Sequence, residues 1–267
     1  MKVNRTAIII PFRNLSWITI NCLKSISAST DLSTIRVYLV DNNSEVLEAE
    51  KILGYLNSSE IDYRHIVMSK NTGFVVATNT GIKRAIKDDF EQFVLLNNDT
   101  IVTSSWLVNL QKHLKNDVCF VNPMSSPPDW RSTVWGKALI EEKPDYSKIR
   151  PSMESFASSL LQNFKDKVTE VDFVPFFCTL IHKRAIDEVG FLSEDYEVGL
   201  FDDDDYCHRS REKNLKMVVA QDTYVHHFHN STFIDQNIDY MKLLEKNRKV
   251  FEEKYHYDPW DRAKVKQ

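Results

Sequence analysis

No uninterrupted apolar run in this sequence approaches the roughly 20 residues that a membrane-spanning helix needs. The opening Met1-Lys2-Val3-Asn4-Arg5 leads into a short strand instead of the apolar core of a signal peptide. These absences predict a soluble, cytoplasmic chain with no transmembrane segment, and leave peripheral contact with a membrane open. A basic excess is also missing. The 34 Lys and Arg against 38 Asp and Glu give a net charge of -4, so nothing marks a nucleic-acid partner. Cys22, Cys119, Cys178 and Cys207 are widely separated, without the paired spacing of a zinc site, and read as buried thiols in a reducing compartment. Glycine is scarce, at 6 of 267 residues, and internal repeats, low-complexity tracts and linkers are lacking. An ordinary apolar content of 42% over 267 residues then predicts a globular chain, large enough for one big domain or two small ones.

What is present is a regular alternation. Ala7-Ile8-Ile9-Ile10 is a short apolar run ended by Pro11, and Asn14 or Ser16 caps a helix in which Ile18, Cys22, Leu23 and Ile26 recur at helical spacing. Val37 to Val40 predicts a second strand ahead of a polar helix, Arg64 to Val67 a third, Val75 to Ala85 a helix, and Phe93 to Leu96 a fourth strand. Strands separated by helices imply right-handed crossovers and a mainly parallel sheet. Polar groups gather just past the strands, at Pro11 to Asn14, Asp41 to Ser44, Asn71 to Gly73 and Asn97 to Asp99. In an open parallel sheet these ends share one edge, where ligands bind.

The periodicity weakens after Val121. From Asn122 to about Thr169 the chain carries Pro123, Pro127, Pro128, Pro144 and Pro151 with Trp130 and Trp135, and reads as a long irregular excursion. Either it packs the tryptophans in a minor core or it binds an acceptor. Order resumes with Val171 to Ile181. Asp202-Asp203-Asp204-Asp205 then opens a helix to Asn214, and Lys216 to Val219 is a further strand. Acids are favoured at a helix N-terminus by its dipole. Four in succession exceed that need, because their repulsion must be offset by a cation, bases or solvent. His226, His227 and His229 follow, and Ile238 to Tyr255 reads as an amphipathic closing helix.

Asn97-Asn98-Asp99 beyond a buried strand suggests divalent-metal chemistry, since hard cations take oxygen ligands and share them with a diphosphate. A turn and helix cap is the plain alternative. Histidines after two acidic clusters add a candidate metal ligand, with surface histidines as the alternative.

Five motifs in order, Ile9 to Asn14, Val40 to Ser44, Asn71 to Phe74 with Ala77, Asn79 and Gly81, Leu96 to Asp99, and Phe201 to Asp203 with Asp205, Cys207 and Arg209, resemble family 2 glycosyltransferases from about Ala7 to Thr232. The resemblance implies an α/β chain of the GT-A fold. About 1–121 would bind the nucleotide sugar, 122–233 would bind the acceptor and catalyse, and 234–267 would form a C-terminal helical segment. Within the family the chain looks most similar to the bacterial-type rhamnosyltransferase branch, through its Asp-Asn-Asn-Ser turn and a histidine after the last core strand.

Carried over by position, Pro11, Arg13 and Asp41 would line the base and ribose pocket of the donor, and Asn42 sits where some relatives carry an acid facing the base. Asn71, Gly73 and Asn79 would pass under the donor, and Asn14, Asn97 and Asn98 would also bind it, the last two at positions often acidic in relatives. Asp99 would bind Mn2+ or Mg2+, supplemented by His226 as the best positional match, with His227 and His229 as alternates. Asp203 matches the catalytic base, and Asp202, Trp130 and Trp135 fall on the acceptor side. The resemblance implies an inverting, metal-dependent transferase moving a sugar such as rhamnose from a dTDP- or UDP-linked donor to a glycan or glycolipid. Two rivals are kept. A sugar nucleotidyltransferase would need a glycine-rich basic loop where Pro11-Phe12-Arg13-Asn14 stands. A non-catalytic glycan- or ion-binding module would need spaced loop ligands that this glycine-poor chain lacks.

Overall fold

The structure, a computed structural model, describes residues 5–115, 117–125, 143, 145–196, 198–229, 235, 236 and 238–261. In chain order the elements are β1 (Thr6–Phe12), α1 (Ser16–Ser29), β2 (Ile35–Asp41), α2 (Val46–Asn57), β3 (Tyr63–Val67), α3 (Gly73–Lys87), β4 (Gln92–Leu96), β5 (Thr100–Val102), α4 (Trp106–His113), β6 (Val118–Met124), α5 (Tyr146–Phe164), β7 (Val168–Val171), β8 (Cys178–His182), α6 (Lys183–Val189), α7 (Asp202–Glu212), β9 (Lys216–His227) and α8 (Tyr240–Tyr255).

The sheet runs β3-β2-β1-β4-β8-β6-β9-β5, with β7 also on β9. Its first four strands are parallel, as the alternating pattern requires, and Ile8 stands opposite Val37 on one side and Val94 on the other. β8 then inserts antiparallel between β4 and β6. Strand alternation divides the core in two. Ile8, Ile10, Val37, Leu39, Val94 and Leu96 face Cys22, Leu23 and Ile26 of α1, Ile52 of α2 and Trp106 and Leu110 of α4. Ile9, Tyr38, Val40, Phe93 and Leu95 face Val75, Ile82 and Ala85 of α3 and Ala185 of α6 on the other side. Gly81 lets α3 approach this closely, because a Cβ there would lie 2.5 Å from Ile9 Cγ2.

The irregular excursion expected between Asn122 and Thr169 is in part regular. β6 extends to Met124, and α5 fills Tyr146–Phe164. Pro151 inside α5 and a helix that buries only Tyr146 and Ala157 leave too sparse an apolar stripe to read. Pro127, Pro128, Trp130, Trp135 and Pro144 lie outside the described residues. The last helix starts at Tyr240, where the Asp239 carboxylate accepts the Lys242 N–H at 3.0 Å. Among the described residues no helix is long and apolar enough to cross a membrane.

Candidate active site

The antiparallel pairing of β5 with β9 sets Thr100 opposite His227 and Ile101 opposite His226. Asp99 precedes β5, so this register brings its carboxylate to His227, with Oδ1 and Nε2 3.1 Å apart. The Phe228 N–H donates to the Asp99 carbonyl at 3.0 Å, closing the pair from behind. Phe177 stacks on the His227 ring at 5.1 Å and fixes its plane. The Asn97 amide lies 3.3 Å from the same Nε2, and its Oδ1 is buried with no hydrogen-bond partner. A carboxylate oxygen and an imidazole nitrogen about 3 Å apart have the separation of two neighbouring ligands of one octahedral ion, and an orphaned amide oxygen beside them is a third donor. The residues present therefore fit a divalent cation. As an all-protein centre the site is incomplete, since among the described residues no three His, Cys, Asp or Glu side chains form a metal-holding group. A cation there would draw further oxygens from its substrate.

A cavity of about 660 Å3 opens in front of this pair. At one end it is lined by Pro11, Phe12, Arg13, Asn42, Asn71 and Gly73, which come from the carboxyl ends of β1 and β2 and the start of α3. Asn42 is buried and organises that end. Its amide donates to Asn71 Oδ1 at 2.8 Å and to the Gly73 carbonyl at 3.1 Å, while its Oδ1 accepts the Thr72 N–H at 2.8 Å. Arg13 donates to Gln236 Oε1 at 2.9 Å, and Asn71 donates to the same oxygen at 3.2 Å.

Asp202, Asp203 and Asp204 also line the cavity, presented by the N-terminus of α7, whose dipole favours negative charge. The turn that delivers them is unusual. Gly199, Leu200 and Phe201 all have positive φ, at 125°, 71° and 68°. For Leu and Phe this conformation costs on the order of 1–2 kcal/mol each, so something must hold it. Asn247 of α8, fully buried, donates its amide to the Gly199 carbonyl at 2.8 Å and the Leu200 carbonyl at 3.1 Å. Burial, followed by the Asp203 charge, pushes the Asp202 carboxyl well above the ordinary carboxylate range.

Pro11, Arg13, Asn42, Asn71, Gly73, Asn97, Asn98, Asp99, Asp202 and Asp203 thus share one cavity, as the sequence expects. Four expected residues are placed elsewhere. His226 faces away from the cavity on β9, since neighbours on a strand point to opposite faces. Its Nδ1 lies 2.9 Å from the Tyr224 hydroxyl, and burial, then His227 and His229, lowers its pKa to about 4. His227, the alternate, is the partner of Asp99, and His229 also lines the cavity. Asn79 is buried within α3 and clamps the loop after α6, donating to the Leu192 carbonyl at 2.9 Å and accepting its N–H at 3.1 Å. Asp41 is buried at the end of β2 and is not among the residues lining the cavity. Burial raises its pKa, but bonds from His65 and the Ser44 N–H outweigh this and leave it lowered. Asn14 braces the strand ends, accepting the Glu45 N–H at 2.9 Å. Trp130 and Trp135 fall outside the described residues. Sequence reasoning missed Gln236, Tyr240, Leu244 and Trp260, which also line the cavity.

Comparison with known proteins bears on the family and the fold. The sequence model described as glycosyl transferase family 2 matches residues 7–190. Solved structures similar to this chain include GalNAc-T7 with UDP, GalNAc and Mn2+, at a TM-score of 0.63 and 13% identity over 84% of this chain and 43% of that one. The mannosyltransferase PcManGT from Pyrobaculum calidifontis, in complex with GDP-Man and Mn2+, is similar at a TM-score of 0.59 and 13% identity, over 84% of this chain and 56% of that one. S. aureus TarS 1-349 is similar at 0.57 and 13%, over 82% and 60%. At this identity the likeness shows the shared GT-A fold, and the chain spans less than two thirds of each of these proteins. No curated protein matches the sequence.

Proposed function

The chain belongs to glycosyl transferase family 2, and on that premise we propose that it transfers a sugar, with inversion, from a nucleoside-diphosphate donor to a hydroxyl of a glycan or glycolipid. The observation that carries this is one cavity lined by Asn42 and Asn71, the Asp99–His227 pair and the acids of α7. UDP- and GDP-linked ligands with Mn2+ in the similar structures support a nucleotide donor and a divalent cation. The Asp-Asn-Asn-Ser turn favours dTDP-rhamnose among the candidate donors.

Pro11, Arg13 and the Asn42–Asn71 pair bind the nucleotide, and Gly73, at a φ of 80°, allows its backbone to approach closely. Asp99 and His227, with Asn97 beside them, would hold Mn2+ or Mg2+. When bound, the cation would neutralise the charge on the leaving diphosphate. Asp203 acts as general base, accepting the proton of the acceptor hydroxyl as that oxygen attacks the anomeric carbon from the face opposite the diphosphate. Burial and the Asp203 charge raise the pKa of the neighbouring Asp202 carboxyl, which disfavours charging both acids at once.

Calorimetry of UDP and dTDP with Mn2+ tests the assignment. Asp99→Ala and His227→Ala are expected to lose the Mn2+-dependent part of nucleotide affinity, whereas His226→Ala keeps it. Unchanged affinity in Asp99→Ala, or a greater loss in His226→Ala than in His227→Ala, would remove the pair from this role.

A further inference from the structure

The hydrogen bonds around Gln236 have a polarity set from outside the side chain. Which end of an amide is oxygen is dictated by its partners, most firmly by groups that can only donate. Three such groups surround this chain of amides: the Thr72 and Gly73 N–H groups and the Arg13 guanidinium. The Thr72 N–H meets Asn42 at 2.8 Å and makes that atom the oxygen, so the Asn42 amide nitrogen donates to Asn71 Oδ1 at 2.8 Å. The Gly73 N–H donates to the same Asn71 oxygen at 3.1 Å, which turns the Asn71 amide nitrogen toward Gln236 at 3.2 Å. Arg13 Nη1 reaches Gln236 from the end of β1 at 2.9 Å. Both neighbours of Gln236 donate, so the atom between them is its oxygen.

A carbonyl oxygen has two lone pairs, and Gln236 Oε1 has used both. Its Nε2 takes no hydrogen bond among the described residues and stays accessible, on a side chain that lines the cavity. The amide can therefore do one thing for a ligand, which is to donate. Two bonds hold it in place beforehand, so little side-chain freedom remains to be lost on binding. Its position also selects the part of a nucleotide that it meets. Arg13 ends β1 and Asn71 follows β3, on the β3-β2-β1 side of the sheet, whereas Asp99 follows β4 on the far side of β1. A nucleotide whose diphosphate lies at Asp99 brings its nucleoside to the side where Gln236 is pinned.

We propose that Gln236 contacts the donor nucleotide, its Nε2 donating to an acceptor oxygen of the nucleoside, either a base carbonyl or a ribose hydroxyl. This rests on the transferase reading above and adds a selectivity element from beyond the family match, which ends at 190. An amino group at the same place would set N–H against N–H, so a nucleoside that presents oxygen there is preferred.

Calorimetry of UDP, dTDP and GDP with Mg2+ on the parent, Gln236→Glu and Gln236→Leu tests it. Gln236→Glu keeps an oxygen for Arg13 and Asn71 to grip and replaces the donor with an acceptor, so a residue that merely clamps Arg13 would lose nothing. The contact requires Gln236→Leu to weaken the best-bound nucleotide about fivefold, the worth of one neutral hydrogen bond, and Gln236→Glu to weaken it at least as much. In the parent, the Gln236 side-chain amide NMR signals, identified by their absence from Gln236→Glu, should move on saturation with that nucleotide. Deoxyribose and thiocarbonyl analogues of the nucleotide then locate the oxygen, since sulfur is a weak acceptor and a missing hydroxyl is none. Losing the oxygen that Gln236 meets should cost the parent about fivefold and Gln236→Leu almost nothing, because the two changes remove one bond. Full affinity in Gln236→Glu, tighter binding in Gln236→Leu, amide signals that do not move, or no analogue coupled to Gln236 would each overturn the contact alone. A parent that binds none of the three nucleotides would overturn the transferase reading and this proposal with it.

Discussion

At the residue scale, two neighbouring acids differ in environment more than in chemistry. Asp202 is 4% exposed and carries a raised pKa, with burial as the main cause and Asp203 next. The sign of its effect on stability follows from linkage. A carboxyl whose folded pKa lies above its unfolded value contributes stability that is fully present below the ordinary aspartate value of 3.8 and is lost as pH rises through the folded pKa. Asp202→Asn removes the charge that must otherwise be buried or neutralised. It is therefore expected to raise the melting temperature at pH 7, with the gain shrinking as pH falls toward 4. Melting curves across that range check it, and an equal gain at every pH would assign the effect to packing. The residue scale is also where the sequence misled. The composition of the histidine run does not say which face of β9 looks into the cavity. That choice follows from the Thr100–His227 register, which selects His227 over His226. Asn79 lies in a motif that the family resemblance ties to the donor. Only the packing of α3 on the loop at Leu192 reveals it as a clamp.

At the scale of elements, the strand ends were legible and the C-terminal contribution was not. Short apolar runs closed by polar clusters can be read locally, which is why β1 to β4 and the four polar groups at their ends emerged from pattern alone. The hold of α8 on the turn before α7 spans about fifty residues of sequence and depends on one polar side chain, Asn247, on an otherwise ordinary amphipathic helix. Nothing local marks it. Asn247→Leu is expected to leave the Gly199 and Leu200 carbonyls without their donor, costing about 1–3 kcal/mol. The relaxed turn should carry Asp203 out of line, so transfer falls more than nucleotide affinity does. Thermal denaturation together with separate nucleotide titration and turnover measures both effects. A destabilised variant with full turnover would show that the turn does not set the base.

At the scale of the molecule, the fold brings distant parts of the chain to one cavity. The parallel half-sheet presents Pro11, Arg13, Asn42 and Asp99, and β9 adds His227. α7 presents the acids, and α8 adds Tyr240 and Leu244. The central claim is that these parts together move a sugar off a nucleoside diphosphate. The most direct measurement is nucleoside-diphosphate release from a panel of dTDP-, UDP- and GDP-sugars with Mn2+, in the parent, Asp99→Ala and Asp203→Asn. The account predicts release from at least one donor, stimulated by a glycan or glycolipid acceptor and abolished in Asp99→Ala. In Asp203→Asn, acceptor-stimulated release should fall by roughly two to four orders of magnitude while donor affinity persists. Release of pyrophosphate from a nucleoside triphosphate and a sugar 1-phosphate, or full stimulated turnover in Asp203→Asn, would contradict it.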